Sequence, residues 1–293
     1  MRRSRNDIIL DSINIVVMLA IVVATVYPFL HILAVSLNDA RDATAGGIGI
    51  WPRKLSLNSY EAVFKYNKIY NSFLVSIERT LLGAMLSLTV TSAAAFVMTK
   101  KSLVFYKVFY RFFIVSMFIS GGLIPTFMLY KQIGLYDSFF VYILPGAFSV
   151  FYMILFRTYI IQLPREMEES AYIDGAGEFT VYTRIILPLS IPILATLGLF
   201  VAVGQWNSWQ DTLFFTNSEG LETLQFVLMK VLRQAEAAAM TKRAKSMLRR
   251  TISITPESIK MAITIIATLP ILLVYPFLQK YFIKGIVVGA VKG

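Results

Sequence analysis

Long apolar runs are the feature that most limits what this chain can fold into. The first extends from Ile13 to about Leu37 and follows a basic head, MRRSR, at residues 1–5. Only 15% of the residues are charged, whereas a soluble domain carries roughly 25%. Because so few polar side chains cannot cover a water-facing surface, the sequence predicts a polytopic membrane protein.

The apolar runs form six candidate spans, each near the length of about 20 residues that a bilayer requires. All should be helices, because a lipid-exposed strand leaves backbone hydrogen bonds unsatisfied. We therefore predict an all-α membrane protein in which residues 1–293 form a single transmembrane domain. The six predicted transmembrane helices cover roughly residues 13–37, 72–98, 109–130, 140–162, 184–208 and 260–283.

Prolines within these runs are expected to kink the helices rather than end them, because neighbouring groups in a membrane bundle satisfy the freed backbone. A cleaved signal peptide is the alternative for the first run, but a signal h-region has only ~7–15 residues. We therefore keep the first run as a span. The prolines concerned are Pro28, Pro125, Pro145 and Pro270.

The orientation of the chain is not decided by the positive-inside rule, because Lys and Arg divide almost equally between the two sides. Six spans place both termini on one side and the two long loops, 38–71 and 209–259, on the other. The MRRSR head favours a cytoplasmic N-terminus. That choice predicts an unusually basic exterior.

Most catalytic chemistry is excluded by what the sequence lacks. It has no cysteine, one histidine (His31) and no P-loop, H-E-x-x-H or G-x-S-x-G motif. We expect no catalytic residue, no metal site and no nucleotide bound by this chain, which disfavours a membrane enzyme. Carboxylates are almost absent from the spans, apart from Glu78, which disfavours an ion-coupled carrier. The net charge of +11 indicates anionic lipid headgroups or an anionic ligand rather than nucleic acid.

The segment 164–183 is a charged interruption between the fourth and fifth predicted spans. Three glutamates fall in its first turns, where carboxylates complement the helix dipole. Asp174-Gly175 then predicts a bend, because glycine adopts backbone angles that residues with a Cβ resist. Asp174 is expected to cap the helix that follows. We predict a helix–bend–helix elbow at the membrane surface, with a plain amphipathic connector as the alternative.

The letters of this segment, EESAYIDGA followed by RIILPLSIP, resemble the EAA loop of binding-protein-dependent ABC importer permeases. The family pattern is E-A-A, then D-G-A, then I-x-L-P and a second proline. Ser170 stands where the pattern has its first alanine. Pro188 and Pro192 match the two prolines and fall in the entry turns of the fifth span.

Further stretches resemble the carbohydrate-uptake subfamily, in the branch associated with oligosaccharides and polysaccharide fragments. They are LSLNSYEAVF (55–64), GGLIPTFMLYKQIGLYDSFFVYILP (121–145), GQWNSWQD (204–211) and the ending PFLQKYFIKGIVVGAVKG. The resemblance implies a permease subunit that imports an oligosaccharide, neutral or acidic (a uronate oligomer). Amino acid or peptide cargo is the alternative within the family, and a stand-alone secondary carrier is the alternative outside it.

The resemblance also implies the partners. A second homologous permease, two cytoplasmic ATPase subunits that hold ATP and Mg, and an extracytoplasmic solute-binding protein would complete a transporter in the inner membrane of a bacterium. The elbow would be the coupling helix on the ATPase, with both termini in the cytoplasm. The residues implied in coupling are Glu168 and Glu169 as polar anchors, Ala171 and Ala176 as close contacts, Gly175 as the bend, and Ser170 and Asp174 within the motif.

Substrate contacts are predicted at the outer end of the fifth span, because aromatic platforms and amide groups suit a sugar. Tryptophan is also common at membrane interfaces and histidine is often an interior residue, so a structural role is the alternative. The candidates are Gln205, Trp206, Asn207 and Trp209, together with His31 near the kink of the first span.

The fifth loop carries a basic stretch, KVLRQAEAAAMTKRAKSMLRR (230–250), with seven basic residues and one acidic residue. It predicts electrostatic docking of an acidic binding protein, or attraction of an anionic glycan. A solvated helix face is the alternative. The residues proposed for docking are Lys242, Arg243, Arg249 and Arg250.

Overall fold

The computed structural model describes residues 5–65, 69–245 and 255–290, and every named element in these ranges is helical. The chain divides into two compact units, Met1–Asn67 with Leu228–Leu269 and Lys68–Val227 with Pro270–Gly293. The predicted all-α class is confirmed for the described residues.

The first unit begins with α1 (Arg5–Ser36), which continues through Pro28 as predicted. Within it, Ile9–Ser36 reaches a mean hydropathy of 2.4, and none of its most apolar window is buried. A helix that is apolar all round and long enough to span a bilayer is suited to lipid contact. Two short helices follow, α2 (Ala40–Thr44) and α3 (Asn58–Phe64).

The second unit contains most of the packed helices. In chain order they are α4 (Ile69–Val97), α5 (Tyr106–Ser116), α6 (Leu123–Gln132), α7 (Val150–Ile161), α8 (Glu166–Ile173), α9 (Glu178–Val181), α10 (Leu187–Leu189), α11 (Ile191–Asn207) and α12 (Gln210–Phe215). Short 3-10 turns lie at Phe139–Tyr142 and Glu219–Leu221, and a π-helical turn lies at Tyr182–Ile186. Two long helices, α13 (Leu224–Lys245) and α14 (Pro256–Ala290), contribute residues to both units.

A stripe of small residues lets α4 approach its neighbours, α7 and α11. Gly83, Ser87, Thr91 and Ala95 recur every four residues and are all buried. Residues four apart lie on one face of a helix, and small side chains there let membrane helices pack closely. Arg79, one further step along the same face, is also buried, so this face carries a charge into the interior.

The number of helices that could cross a membrane is smaller than the six predicted. Among the described residues, three single helices are long and apolar enough, and a fourth span results if one bent pair is counted together. The bent pair joins Glu178–Leu189 to Ile191–Asn207 at an angle of 80°. The three single helices are Ile9–Ser36, Ile69–Val97 and Pro256–Pro276.

The prediction of one continuous helix over 109–130 is wrong. α5 ends at Ser116, and α6 begins at Leu123 after Gly122, whose φ is 77°. Pro125 lies in the first turn of α6, where its missing N–H leaves no hydrogen bond unmade. It therefore marks the start of a helix and not a kink, because the break has already occurred at Gly122.

The prediction of one helix over 140–162 is also wrong. The 3-10 turn ends at Tyr142, and α7 begins only at Val150, capped by Ser149 through its hydroxyl and the amide of Tyr152. Pro145 lies in the irregular stretch between them. Proline cannot donate a helical hydrogen bond, and the Ser149 cap starts a new helix after it. Pro270, in contrast, lies inside α14, as predicted.

Candidate functional site

The segment between α8 and α9 is an elbow closed by backbone hydrogen bonds. Gly175 N donates to Tyr172 O at 3.0 Å. Ala176 N donates to Ala171 O at 2.9 Å. This pair of bonds is a Schellman motif, which needs a residue with positive φ, and Gly175 supplies it with φ of 81°. Gly175 therefore lies at a bend, where the sequence predicts one.

Asp174 does not cap the second helix of the elbow, contrary to the prediction. α9 begins at Glu178 after Gly177, and no side chain accepts a hydrogen bond from its first amides. Asp174 is instead the C-cap residue that follows the last residue of α8, Ile173, and it is exposed. Three residues separate it from α9, so its carboxylate is too early in the chain for the capping position.

Lys100 connects the end of α4 to both arms of the elbow. Its ammonium group lies 2.7 Å from Glu168 on α8 and 3.3 Å from Glu178 on α9. It also donates to the hydroxyl of Tyr172 at 2.8 Å, and that hydroxyl donates to Glu178 at 2.7 Å. These four residues, Lys100, Glu168, Tyr172 and Glu178, are called the Lys100 cluster below.

The Lys100 cluster is stabilised by charge and by an aromatic ring. The ammonium group lies 4.5 Å from the ring centroid of Phe96, within the range of a cation–π contact. Partial burial opposes the charge, but hydrogen bonds to Glu168 and Tyr172 outweigh burial and raise the pKa of Lys100 above its ordinary value. Lys100 is therefore protonated throughout the physiological pH range.

The other residues assigned to the elbow differ in exposure. Glu169 and Ser170 are exposed, and the Ser170 hydroxyl donates to Met167 O at 3.3 Å. Ala171 and Ala176 are partly buried against the interior cluster that includes Phe156 and Val181. The glutamates thus separate into one in an ion pair, Glu168, and one free of any ion pair in the described structure, Glu169.

A cleft of about 370 Å³ lies among α4, the stretch before α7, and the C-terminal part of α11 with α12. Arg79 is one of its lining residues, although its side chain is only 2% exposed. Arg79 forms an ion pair with Asp211, whose side chain is 21% exposed. Of the residues that line the cleft, these two are the charged ones.

The guanidinium of Arg79 donates hydrogen bonds from all three of its nitrogen atoms. Its Nε and Nη2 donate to Gln205 Oε1 at 3.1 and 2.8 Å. Its Nη1 donates to Ser208 O at 3.2 Å and to Asp211 Oδ1 at 3.1 Å, and Nη2 donates to Asp211 Oδ2. The group also lies 4.5 Å from the ring centroid of Tyr142. A buried charge of this kind is stable only when it is paired and hydrogen-bonded.

Gln205 and Tyr142 join the two sides of the cleft. Gln205 Nε2 donates to Tyr142 O at 3.2 Å, and the Tyr142 hydroxyl donates to Leu221 O at 2.6 Å. A Cβ placed on Gly83 would lie 2.9 Å from Gln205 Nε2, so Gly83 provides the space for this amide.

Of the predicted substrate-path residues, the structure places Gln205 on the cleft. Trp206 is buried, packs edge-on against Phe73 at 5.9 Å between ring centroids, and lines a separate apolar groove with Pro270. Trp206 therefore does not line this cleft, because adjacent residues of a helix point about 100° apart.

The remaining substrate-path candidates do not line the cleft either. Asn207 is exposed, and its amide oxygen accepts from Gln225 at 3.2 Å. Trp209 is half-buried and precedes α12. His31 belongs to the other compact unit, where its Nδ1 lies 3.2 Å from Gly49 O and its ring stacks on Tyr27. Of the predicted substrate-path residues, Gln205 is therefore the one that lines the described cleft.

Two residues of the cleft were missed from the sequence, Arg79 and Asp211. An ionisable residue within an apolar span is by default a functional candidate, and Arg79 was visible on that ground. Its partner was not, because Asp211 follows it by 132 residues and lies in the first turn of the short helix α12, outside the long spans.

The basic docking residues cannot be placed in the same detail. Lys242 and Arg243 belong to the backbone of α13, but their side chains lie outside the described residues. Arg249 and Arg250 lie outside the described residues altogether.

Comparison with known proteins decides the family. Residues 83–288 match the family described as "Binding-protein-dependent transport system inner membrane component". The chain belongs to this family. It is a transport component rather than an enzyme, and its class is that of ABC permeases of the inner membrane.

Individual relatives cover nearly the whole permease. Protein LplC of Bacillus subtilis (strain 168) is 37% identical over 294 residues, which cover 100% of this chain and 98% of that protein. The polygalacturonan/rhamnogalacturonan transport system permease protein YtcP of the same organism is 34% identical, over 92% of this chain and 93% of that protein.

A solved structure has the same fold. A chain from the crystal structure of a bacterial ABC transporter involved in the import of the acidic polysaccharide alginate superposes with a TM-score of 0.80. The two chains are 27% identical, and the match covers 96% of this permease and 99% of that chain.

Proposed function

We propose that this permease moves an oligosaccharide into the cytoplasm, driven by ATP hydrolysis on a partner chain that holds the ATP and Mg. The observation that carries the proposal is the elbow, in which Lys100 ties both arms of a glycine bend to the end of α4. A displacement of the elbow would reach α4, and through it the packed helices α7 and α11. Packed helices change between discrete arrangements, which suits alternating access.

The surface of the elbow has the character of a docking site for the ATPase. Ile173 and Phe179 are 85% and 78% exposed, and Met167 is 45% exposed. Exposed apolar side chains beside a carboxylate, here Glu169, are typical of a protein interface. Glu168 pairs with Lys100 within the chain, so Glu169 is proposed as the polar anchor to the partner.

The small residues of the elbow would set how closely the ATPase approaches. Ala171 and Ala176 face the interior cluster, and a larger side chain at either would push the elbow outward. Ser170 and Asp174 are exposed and are proposed to lie at the contact with the partner.

The proposed orientation follows from the elbow. If it meets an ATPase, it lies in the cytoplasm with both termini, and loops 38–71 and 209–259 lie outside. Residues 1–293 would then form one domain with six crossings. In this proposal α5 with α6, and the stretch before α7 with α7, each make one broken crossing. Irregular backbone is tolerated at membrane depth where it is enclosed by protein or lines a cavity.

The proposed cargo rests on the relatives. YtcP is named for polygalacturonan and rhamnogalacturonan, and the solved transporter for alginate, so a carbohydrate polymer fragment is the common chemistry. The family description supports delivery by a binding protein, which in this orientation is extracytoplasmic. We propose a second homologous permease and two ATPase subunits as the other partners.

Docking of the binding protein is proposed to involve the basic residues at 242–250. Replacement of Lys242, Arg243, Arg249 and Arg250 by glutamine should weaken docking and reduce its dependence on salt, because screened charge–charge attraction would be lost. Docking that keeps both its strength and its salt dependence would contradict this assignment.

The proposal is tested by purifying the intact complex through a tag on this chain, followed by mass spectrometry of the subunits and of any bound glycan. We expect a second permease and two copies of an ATPase. Transport by this chain alone in vesicles would support a carrier. If amino acids or peptides co-purified with the same subunits, the importer function would stand but its cargo would be amino acids or peptides.

A further inference from the structure

We propose that the cleft beside Arg79 binds the hydroxyl groups of an uncharged sugar residue, with Asp211 as the acceptor, and that it excludes a carboxylate. This inference rests on the proposed function, since it names the chemistry that the permease meets along the sugar path. It makes Arg79 a positioning residue and not a receptor for an anion.

Arg79 has no hydrogen-bond donor left for a ligand. A guanidinium has five N–H groups. The five bonds to Gln205, Ser208 and Asp211 use the Nε hydrogen and both hydrogens of each terminal nitrogen. An incoming carboxylate would have to displace Asp211 or Gln205 from a side chain that is 2% exposed. Arg79 therefore positions the groups it bonds, Gln205, Ser208 and Asp211, and does not bind the substrate itself.

Asp211 retains acceptor capacity. Its Oδ1 already accepts from Arg79, from the Ser208 hydroxyl at 3.0 Å and from Thr212 N at 3.0 Å. Its Oδ2 accepts from Arg79, and the described contacts give it no second donor. A carboxylate oxygen accepts two hydrogen bonds, and the side chain is 21% exposed, so a sugar hydroxyl can donate to Oδ2.

The walls of the cleft suit a sugar ring. The cleft is lined by the aromatic side chains of Tyr130, Phe148, Tyr152, Phe200 and Phe215. Its volume of about 370 Å³ suits a short piece of sugar and not a long chain. Small-molecule sites typically combine such aromatic walls with a few placed polar groups. The aromatic surfaces would contact the C–H faces of the ring while Asp211 accepts from its hydroxyls.

Charge balance argues against a uronate at this place. Arg79 and Asp211 cancel, and no other charged residue lines the described cleft. A carboxylate that entered would lose its hydration without gaining a cation, and it would lie beside the carboxylate of Asp211. A uronate residue would therefore bind in this cleft less favourably than a neutral residue, and the carboxylates of an acidic cargo would be met elsewhere in the complex.

The test uses the complete transporter in proteoliposomes, with ATP inside and its binding protein outside. The probes are neutral tetrasaccharides (arabino- and galacto-) and uronate tetrasaccharides (oligogalacturonate). Uptake by each variant is divided by wild-type uptake of the same sugar, which cancels the preference of the binding protein. The variants are Asp211→Asn, the double variant Arg79→Met/Asp211→Met and the neighbouring control Gln210→Ala, whose side chain is exposed.

We expect Asp211→Asn to lower uptake of neutral sugars about 10- to 100-fold, the range for a lost hydrogen bond to a charged group. Uronate uptake should fall less or rise, and Gln210→Ala should leave both at the wild-type level. The double variant leaves neither charge unpaired, so we expect it to assemble even if the single variant does not. It should show the same loss for neutral sugars.

Three outcomes would overturn the inference: wild-type transport of uronates alone, an equal or larger loss for uronates than for neutral sugars, or neutral uptake that survives in both variants. Failure of the proposed function would be different, because the wild-type complex would then transport none of the probes.

Discussion

The ammonium group of Lys100 lies 2.7 Å from the carboxylate of Glu168, and the same ammonium lies 3.3 Å from Glu178 on the other arm of the elbow. The two carboxylates belong to different helices, α8 and α9, that meet at Gly175. One cation therefore holds the two arms together and joins them to the end of α4. This relationship gives the elbow a defined shape relative to the helices that pack on α4.

Replacement of Lys100 by methionine should uncouple transport. Methionine retains much of the side-chain volume but cannot bond either carboxylate, so the elbow loses two ion pairs that together contribute about 1 kcal/mol. We expect sugar uptake per ATP hydrolysed to fall about fivefold, the factor that such an energy represents. Uptake and ATPase activity are measured in the same proteoliposomes.

The control for this change is Lys101→Met, because Lys101 is adjacent in sequence and exposed. This variant should keep the wild-type sugar uptake per ATP hydrolysed. The charge exchange Lys100→Glu with Glu168→Lys should recover part of the lost coupling, which a general loss of stability would not explain. Equal coupling in the wild type and in Lys100→Met would contradict the role of the cluster.

The contribution of Lys100 should be insensitive to pH in the neutral range. Its pKa is raised in the folded state, so the stabilisation is fully present below the ordinary lysine pKa of about 10.4 and is lost as pH rises through the folded value. Thermal unfolding should show a constant difference between wild type and Lys100→Met from about pH 6 to 9. A difference that disappears within that range would refute the prediction.

Gly175→Ala should weaken the elbow, whereas Gly177→Ala should not. Gly175 has φ of 81°, which an alanine adopts at a cost of about 1–2 kcal/mol, while Gly177 has φ of −79° and open space around it. Gly175→Pro should abolish uptake, because proline cannot reach that φ and removes the bond to Tyr172. Membrane insertion and ATP-driven uptake are both measured, and loss of insertion would indicate a folding defect instead.

Arg79→Met should destabilise the permease more than the double variant Arg79→Met/Asp211→Met. The single replacement leaves the partly buried carboxylate of Asp211 without its partner, which costs up to about 3–5 kcal/mol, whereas apolar replacement of both is often neutral. The comparison is made by thermal unfolding of the detergent-purified complex. Additive losses in the double variant would show that the pair is not energetically coupled.

Asp137 should make the contact between its own loop and residues 217–218 sensitive to acid. Its Oδ1 accepts from Asn217 N at 2.8 Å and Ser218 N at 2.7 Å, and the Ser218 hydroxyl donates to Oδ2 at 2.6 Å. The Ser218 hydroxyl, and then the two amides, lower the pKa of Asp137. Its stabilisation is present above the ordinary aspartate pKa of about 3.9 and is lost as pH falls through the folded value. The unfolding temperatures of the wild type and of Asp137→Asn, measured as a function of pH, should therefore converge only at strongly acidic pH.

The sequence by itself determined the features that depend on neighbouring residues. The apolar run of α1 predicts a span because most of its residues are apolar, with a mean hydropathy of 2.4 over its most apolar window. The bend at Gly175 is readable because a Schellman motif is completed within six residues of chain and requires a positive φ that glycine adopts readily. The EAA-like letters and the family match follow from the same local order.

Tertiary structure alone decided the features that join distant parts of the chain. Lys100 meets Glu168 across 68 residues, and Arg79 meets Asp211 across 132. The hydropathy of the sequence cannot distinguish a continuous helix from one that is broken at Gly122 or near Pro145, because both arrangements contain the same apolar residues. It also cannot assign Trp206 to a groove and Gln205 to a cleft, since that depends on which neighbours pack against each side of α11. The composition of a segment determines whether it leaves water, whereas the packing of the helices determines which charged side chains form ion pairs.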